Sequence, residues 1–108
     1  IEPGLMLYTE EGLTGREVPT DAGKIDILAM DKNGILVVIE LKATKANYST
    51  LGQILSYMAS IKAELKAEGV RGIIIAEDFD KKLKYAVSEV PQVTLIKYRI
   101  KFDFEKAT

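Results

Sequence analysis

The chain predicts an α/β fold built on a central mixed β-sheet: an antiparallel meander, then helix, strand, helix and strand, with helices flanking the sheet. Three observations carry this prediction. Five consecutive large aliphatics at 35–39 form a run apolar on both faces, as a strand buried in the middle of a sheet requires. Residues from about 47 to 68 repeat apolar positions at helical spacing. Between these and the C-terminus, short apolar runs alternate with a second helical stretch.

The elements follow in order. Residues 5–8 form a short strand before a turn around Glu11 and Gly12, and residues 16–20 form a second strand ended by Asp21-Ala22-Gly23. Residues 24–30 are a third strand. Asp31-Lys32-Asn33-Gly34 is a turn, with Gly34 free to take positive φ. Residues 35–41 make the fourth and central strand. A long helix starts at Asn47 or Ser49 and runs to Glu68, with Gly69 as its C-cap. Residues 71–76 are a buried strand and 79–89 a second helix, which Pro91 prevents from continuing. The tail, 93–104, predicts a last strand. In its later half Tyr98, Ile100, Phe102 and Phe104 alternate with Lys97, Arg99, Lys101 and Asp103.

Composition narrows the chemistry. At 108 residues the chain is one domain, and at 47% hydrophobic it is globular rather than disordered. It has no cysteine, so there is no disulfide framework and no thiolate metal site, as befits a reducing, cytoplasmic setting. It has no histidine, which removes the commonest general base and every Ser-His or Cys-His scheme. Chemistry must run on carboxylates, lysines, hydroxyls, backbone groups and hard metal ions. No apolar run approaches the roughly 20 residues of a membrane span. The net charge of −1 is unevenly spread: residues 1–31 carry two basic groups against seven acids, residues 81–108 seven against three. An acidic end and a basic end suit a nuclease, although solvated faces also differ in charge without function.

The central strand ends in Glu40-Leu41-Lys42. An acid and a base at alternate positions of a strand share a face, and charge at the end of a buried strand is costly unless paired or bound. Asp26, on the preceding strand, supplies a second carboxylate; two carboxylates and a lysine are what metal-assisted phosphodiester cleavage needs. The hairpin allows two registers. A two-residue Asn33-Gly34 turn sets Asp26 opposite Leu41. A three-residue loop, Lys32-Asn33-Gly34, sets Asp26 opposite Glu40 and uses Gly34 in the left-handed position. Turn chemistry alone does not choose. The second register is the expectation adopted, because directly paired Cβ atoms lie roughly 4.5–5.5 Å apart, close enough for both carboxylates to grip one cation.

On the long helix, Leu51, Ile54, Leu55, Met58, Ile61 and Leu65 fall in one apolar sector. Gln53 and Tyr57, one turn apart, share a face away from that sector. Beside the charged end of the sheet they could orient a phosphate or a water, or support Lys42 by hydrogen bonds. As an isolated pair they are equally ordinary polar-face residues.

Gly23-x-x-Asp26, Glu40-x-Lys42 closing an aliphatic strand and Gln53-x-x-x-Tyr57 on the next helix together resemble the PD-(D/E)XK nuclease superfamily, in its RecB-like branch. The runs at 23–28, 36–42 and 52–57, with 70–75 and 98–104, look most like the catalytic domain of NucS-type endonucleases. The resemblance covers nearly all of the chain and implies a restriction-endonuclease-like core. It implies a DNA endonuclease, in DNA repair, with Asp26, Glu40 and the Leu41 carbonyl as ligands of Mg²⁺ or Mn²⁺. Lys42 would position or activate the attacking water, and Gln53 and Tyr57 would line the site. Lys24, Lys45, Lys97, Arg99 and Lys101 are the candidate phosphate contacts, with a solvated face as the alternative.

Members of this family usually bring a further acid from a helix before the first strand, and an N-terminal DNA-binding and dimerisation domain. The opening Ile1-Glu2-Pro3-Gly4, without an initiator Met, reads as the start of a domain cut from a longer chain that would hold both. Glu2 lies too near the Pro3-Gly4 turn to stand in for the acid. The alternative to a nuclease is a catalytically impaired module that binds nucleic acid or assembles with partners.

Overall fold

The computed structural model describes residues 2–10 and 12–108. Through them the chain forms β1 (Met6–Leu7), β2 (Arg16–Thr20), β3 (Gly23–Met30), β4 (Leu36–Leu41), β5 (Lys45–Ala46), α1 (Tyr48–Glu64), β6 (Val70–Ala76), β7 (Asp78–Phe79), α2 (Lys81–Ser88) and β8 (Val93–Lys97). The main sheet runs β1-β3-β4-β6-β8, with β2 also on β3. Its first half is antiparallel and its second half, β4-β6-β8, is parallel. The expected mixed α/β sheet is therefore present, with β4 at its centre. Glu11 of the expected first turn lies outside the described residues.

Strands β1 and β2 share one edge of β3 end to end. Met6 and Leu7 pair with Met30 and Ala29, while Arg16 to Thr20 pair with Ile27 to Gly23. The changeover falls at Leu28, whose N–H donates to the Gly15 carbonyl and whose carbonyl accepts from Tyr8. Apolar side chains go to two faces. Ile25, Leu28, Val38 and Ile74 pack under α1 with Ile54, Tyr57 and Ile61; Ala29, Val37, Ile39 and Ile73 form a smaller cluster on the other face. Gly72 lets α1 settle closely on β6, since a Cβ there would come within 2.8 Å of Met58 Sδ. At the far end of β4 from Glu40, Arg71 forks onto Glu2 at 2.8 and 2.7 Å and reaches Asp31 at 3.2 Å. Glu2 thus fastens the N-terminal segment to the hairpin, far from the candidate site.

Three expected elements are corrected. Helix α1 ends at Glu64, four residues short of Glu68, because Lys66 takes the left-handed conformation (φ 51). Its N–H donates to Ala63, and that of Ala67 to Lys62, closing the helix in a Schellman motif. Gly69 serves instead to let the chain pass Ile35, whose Cδ1 would lie 2.9 Å from a Cβ there. Helix α2 starts at Lys81 rather than Phe79, capped by the Asp80 carboxylate, which accepts from Leu83 N at 2.7 Å. Residues 78–79 go into a short parallel pairing, Lys45 with Asp78 and Ala46 with Phe79, that joins the turns after β4 and β6. Finally, β8 stops at Lys97. Its partner β6 ends at Ala76, so after the Tyr98 N–H to Ala76 carbonyl bond no ladder remains for the alternating tail, and Ile100, Phe102 and Phe104 are exposed. Among the described residues no helix is long and apolar enough to cross a membrane.

The left-handed conformation costs an L-residue about 1–2 kcal/mol, against about 0.4–1 kcal/mol for the extra unfolded-state freedom of glycine. Lys66→Gly is expected to stabilise the fold by roughly 0.5–1 kcal/mol. The check is an upward shift of the urea midpoint at unchanged slope; a lower midpoint would contradict the assignment of Lys66 as the capping residue.

Candidate active site

The β3–β4 hairpin takes the three-residue-loop register. Ile27 pairs with Ile39, Leu28 with Val38, Ala29 with Val37 and Met30 with Leu36. Gly34 holds φ 80 and donates to the Asp31 carbonyl, while Asp31 N–H closes the loop onto Ile35. The Asp31 carboxylate also accepts from Asn33 and Ile35 N–H, and these backbone bonds, with Arg71, hold its pKa below the usual value. One step beyond the last ladder pair, Asp26 falls opposite Glu40.

There β3 slips. Ile25 and Leu28, three residues apart, both pack under α1, so the strand's alternation shifts by one at Asp26 and Ile27. Opposite, on β2, Glu17 has positive φ (46) between the Val18–Ile25 and Arg16–Ile27 pairs. Asp26 reaches β4, where its Oδ2 accepts the Leu41 N–H at 2.9 Å. A side chain thus replaces a backbone acceptor at the end of the ladder.

Glu40 is the charged group of the central strand, and its side chain is 4% exposed. Its Oε1 is buried without a hydrogen-bond partner. Its Oε2 lies 4.0 Å from Lys42 Nζ, a distance at the outer limit of an ion pair. Burial, and then the neighbouring Asp26 carboxyl, push the Glu40 pKa up to about 7; Lys42 opposes this only in part. A buried acid with an orphan oxygen beside a second acid is electrostatically unfinished. A divalent cation would neutralise both carboxylates and use the orphan oxygen, so the donor set is hard, anionic and suited to Mg²⁺ or Mn²⁺. Among the described residues no group of three or more acidic, His or Cys side chains is placed to hold a metal ion. Asp26 and Glu40 are the two carboxylates that could hold such an ion here.

Helix α1 supplies the next layer. Lys42 Nζ donates to Gln53 Oε1 at 3.3 Å, and Gln53 Nε2 donates to the Tyr57 hydroxyl at 2.9 Å. The pair is therefore joined to the charged end of the sheet. Its surroundings are corrected in one respect: Tyr57 is 6% exposed and belongs to the main core, while Leu55, assigned to the apolar sector, is 36% exposed. The buried arc of α1 runs through Thr50, Leu51, Ile54, Tyr57, Met58 and Ile61. What admits the tyrosine ring is Gly23. At φ 128, a Cβ on Gly23 would come within 3.0 Å of the Tyr57 ring and 3.2 Å of its hydroxyl oxygen. No helical periodicity could show this, because the contact joins residues 34 positions apart.

The basic candidates divide. Lys45, Lys97 and Arg99 line one groove of ≈ 550 Å³ with Thr44, Glu77, Asp78, Tyr98 and Ile100. Lys24 lies outside it at the start of β3, and Lys101 lies on the exposed tail. Next to the groove a second hollow, of ≈ 430 Å³, is lined by Leu41, Lys42, Ala43, Ile75 and Tyr98. Tyr98 is the wall between them, its hydroxyl donating to the Ala43 carbonyl.

Comparison with known proteins bears on the family and the fold. The family model of the Endonuclease NucS C-terminal domain matches residues 6–93. Endonuclease NucS of Pyrococcus abyssi is 43% identical over 61 residues, 56% of this chain and 24% of the relative. That of Methanopyrus kandleri is 38% identical over 76 residues, 70% of this chain and 26% of the relative. The chain thus spans about a quarter of the length of these curated relatives. Among solved structures, a repair endonuclease from Pyrococcus abyssi superposes with TM-score 0.74 at 30% identity, over 88% of this chain and 38% of that one. A complex of EndoMS with double-stranded DNA gives TM-score 0.73 at 26% identity, over 94% and 40%. With the family model covering β1 to the start of β8, the chain belongs to the Endonuclease NucS C-terminal domain family.

Proposed function

We propose that this chain is a nuclease domain of PD-(D/E)XK type, in the RecB-like branch, with a restriction-endonuclease-like core, hydrolysing DNA phosphodiester bonds with Mg²⁺ or Mn²⁺ in DNA repair. One observation carries the reading: the buried, half-satisfied Glu40 beside Asp26, backed by the Lys42–Gln53–Tyr57 chain. A structural salt bridge would not leave one carboxylate oxygen orphaned and its ammonium at 4.0 Å. The kinship to NucS endonucleases and to a DNA-bound EndoMS supports DNA as the substrate. Dimerisation, an N-terminal DNA-binding domain in a longer parent chain and a cytoplasmic location belong to the same proposal.

Asp26, Glu40 and the Leu41 carbonyl would hold the cation, which when bound would supply Lewis-acid stabilisation of the negative charge on the phosphate oxygens and make a coordinated water more acidic. Leu41 is kept in place for this by the bond from its N–H to Asp26. Lys42 is held by Gln53 with its ammonium on the same side as Glu40, where it can orient the attacking water and offset phosphate charge. Gln53 is in turn fixed by the buried Tyr57, which restricts the lysine to one region rather than a solvated sweep. A second reading, a module that binds nucleic acid or assembles without cutting it, is favoured by one fact. The described residues supply only two carboxylates to the centre.

Three measurements decide. Calorimetric titration with Mn²⁺ is expected to give saturable heat for the natural chain and none for Glu40→Ala; equal, negligible heats would remove the metal site. Nicking of supercoiled plasmid should need Mn²⁺ or Mg²⁺, stop in EDTA, and fall about 100-fold or more in Glu40→Ala and Lys42→Ala. Activity that persists in EDTA sinks the mechanism, and metal binding without nicking favours the second reading. Stability against pH gives the third. The Glu40 pKa stands at about 7 in the fold against an ordinary 4.5, so the native chain binds the proton more tightly. Without metal, Glu40 therefore opposes folding increasingly as pH rises from 4.5 to 7, and fully above that. Glu40→Gln should stabilise the metal-free chain by roughly 3 kcal/mol at pH 8 and very little at pH 4, and should lose the stabilisation that Mn²⁺ confers on the natural chain.

A further inference from the structure

The chain leaves its own sheet while it still has the pattern of a strand. Among the described residues the tail makes no backbone hydrogen bond after that of the Tyr98 N–H to the Ala76 carbonyl, and every residue from 99 to 108 is exposed. Yet Ile100, Phe102 and Phe104 alternate with Arg99, Lys101, Asp103 and Glu105. The Phe102 and Phe104 rings lie 6.3 Å apart, so the two stand on one side of an extended segment. With Ile100 at 65%, Phe102 at 73% and Phe104 at 93% exposure, that side faces water. The radius of gyration is 15.4 Å, against about 13 Å for a compact chain of this length, as expected of a segment that stands off the body. An aromatic strand with both edges free is a template for pairing.

The order of charges says what it pairs with. Aligned antiparallel with a second copy about Phe102, Arg99 comes opposite Glu105, Lys101 opposite Asp103 and Ile100 opposite Phe104, each twice by symmetry, with Phe102 on Phe102 at the axis. Every charged residue from 99 to 105 then meets its opposite, and every apolar one meets an apolar one. Shifting the axis to residue 101 or 103 sets Lys101 against Lys101 or Asp103 against Asp103, and a parallel pairing in register sets every charge against itself. We propose that residues 99–105 are a self-recognition strand, which joins two copies of this chain in a two-fold antiparallel ribbon. A foreign strand would need this same order of charges, which a second copy always carries. The two-fold contact is closed, so association stops at two. Lys97 comes opposite Ala107, so the ribbon ends where each β8 begins and leaves the two main sheets unpaired with one another. The contact lies wholly in the tail, is distinct from the dimerisation expected of an N-terminal domain, and does not rest on the nuclease reading.

The test is sedimentation equilibrium of the chain over a micromolar to millimolar series. The natural chain is expected to pass from one copy to two as concentration rises and to go no further. Phe102→Asp, which opposes two carboxylates at the axis, should leave single copies throughout. Lys101→Glu and Asp103→Lys should each weaken association roughly tenfold, because symmetry applies each change twice. The two substitutions together exchange the partners' signs and should bring association back to within about threefold of the natural chain. Urea midpoints at the dilute end equal to that of the natural chain exclude unfolding as the cause. Single copies of the natural chain at every concentration, an assembly larger than two, an association that Phe102→Asp leaves intact, or a double variant no better than the single ones would each overturn the proposal. Calorimetric titration with Mn²⁺ separates it from the nuclease reading: saturable heat without association refutes the ribbon alone, and association without heat refutes the metal site alone.

Discussion

Two carboxylates are pressed together at the end of the central strand, and the structure around them is organised by that repulsion. Glu40 is buried because β4 lies between β3 and β6; Asp26 faces it because the Gly34 loop sets the register. Neither placement can be relaxed without moving the hairpin, which the aliphatic core on both faces of β4 forbids. The strain appears as a raised Glu40 pKa and a buried oxygen without a partner. That cost falls at the centre of a small domain, where the packing on both faces leaves least room to relieve it.

Much of this was legible in the sequence because local chemistry specified it. Gly34 permitted the three-residue loop without choosing it, the run at 35–39 chose the central strand, and a spacing of four brought Gln53 and Tyr57 together. The misreadings share another origin. The apolar alternation of the tail describes a face but not a partner, and β6 is too short to provide one beyond Lys97. The end of α1 was sought at a glycine, whereas a lysine took the left-handed position. Helical periodicity sets Tyr57 away from the apolar sector, yet a glycine 34 residues away makes room for its ring in the core. Strands of two residues, such as β5 and β7, carry no periodicity at all.

The short β5–β7 pairing matters beyond its size. It ties the turn leaving β4, which carries Lys42, to the turn leaving β6, which leads into α2. Glu77 N–H bonds to the Thr44 carbonyl and Asp80 N–H to that of Ala46, so the two turns form one unit. Both helices thus begin at the edge of the sheet where the charged residues emerge.

The contact between Gly23 and Tyr57 has a consequence for how the site comes into being. The hairpin is local and can bring Asp26 and Glu40 together early, since its partners are close in sequence. Lys42 is another matter: its support runs through Gln53 to a tyrosine that sits correctly only when α1 has docked on β3. A nascent or partly opened chain thus holds the acids without a positioned Lys42. The complete set exists only in the finished tertiary structure, and it depends on the room that one glycine leaves for the tyrosine ring.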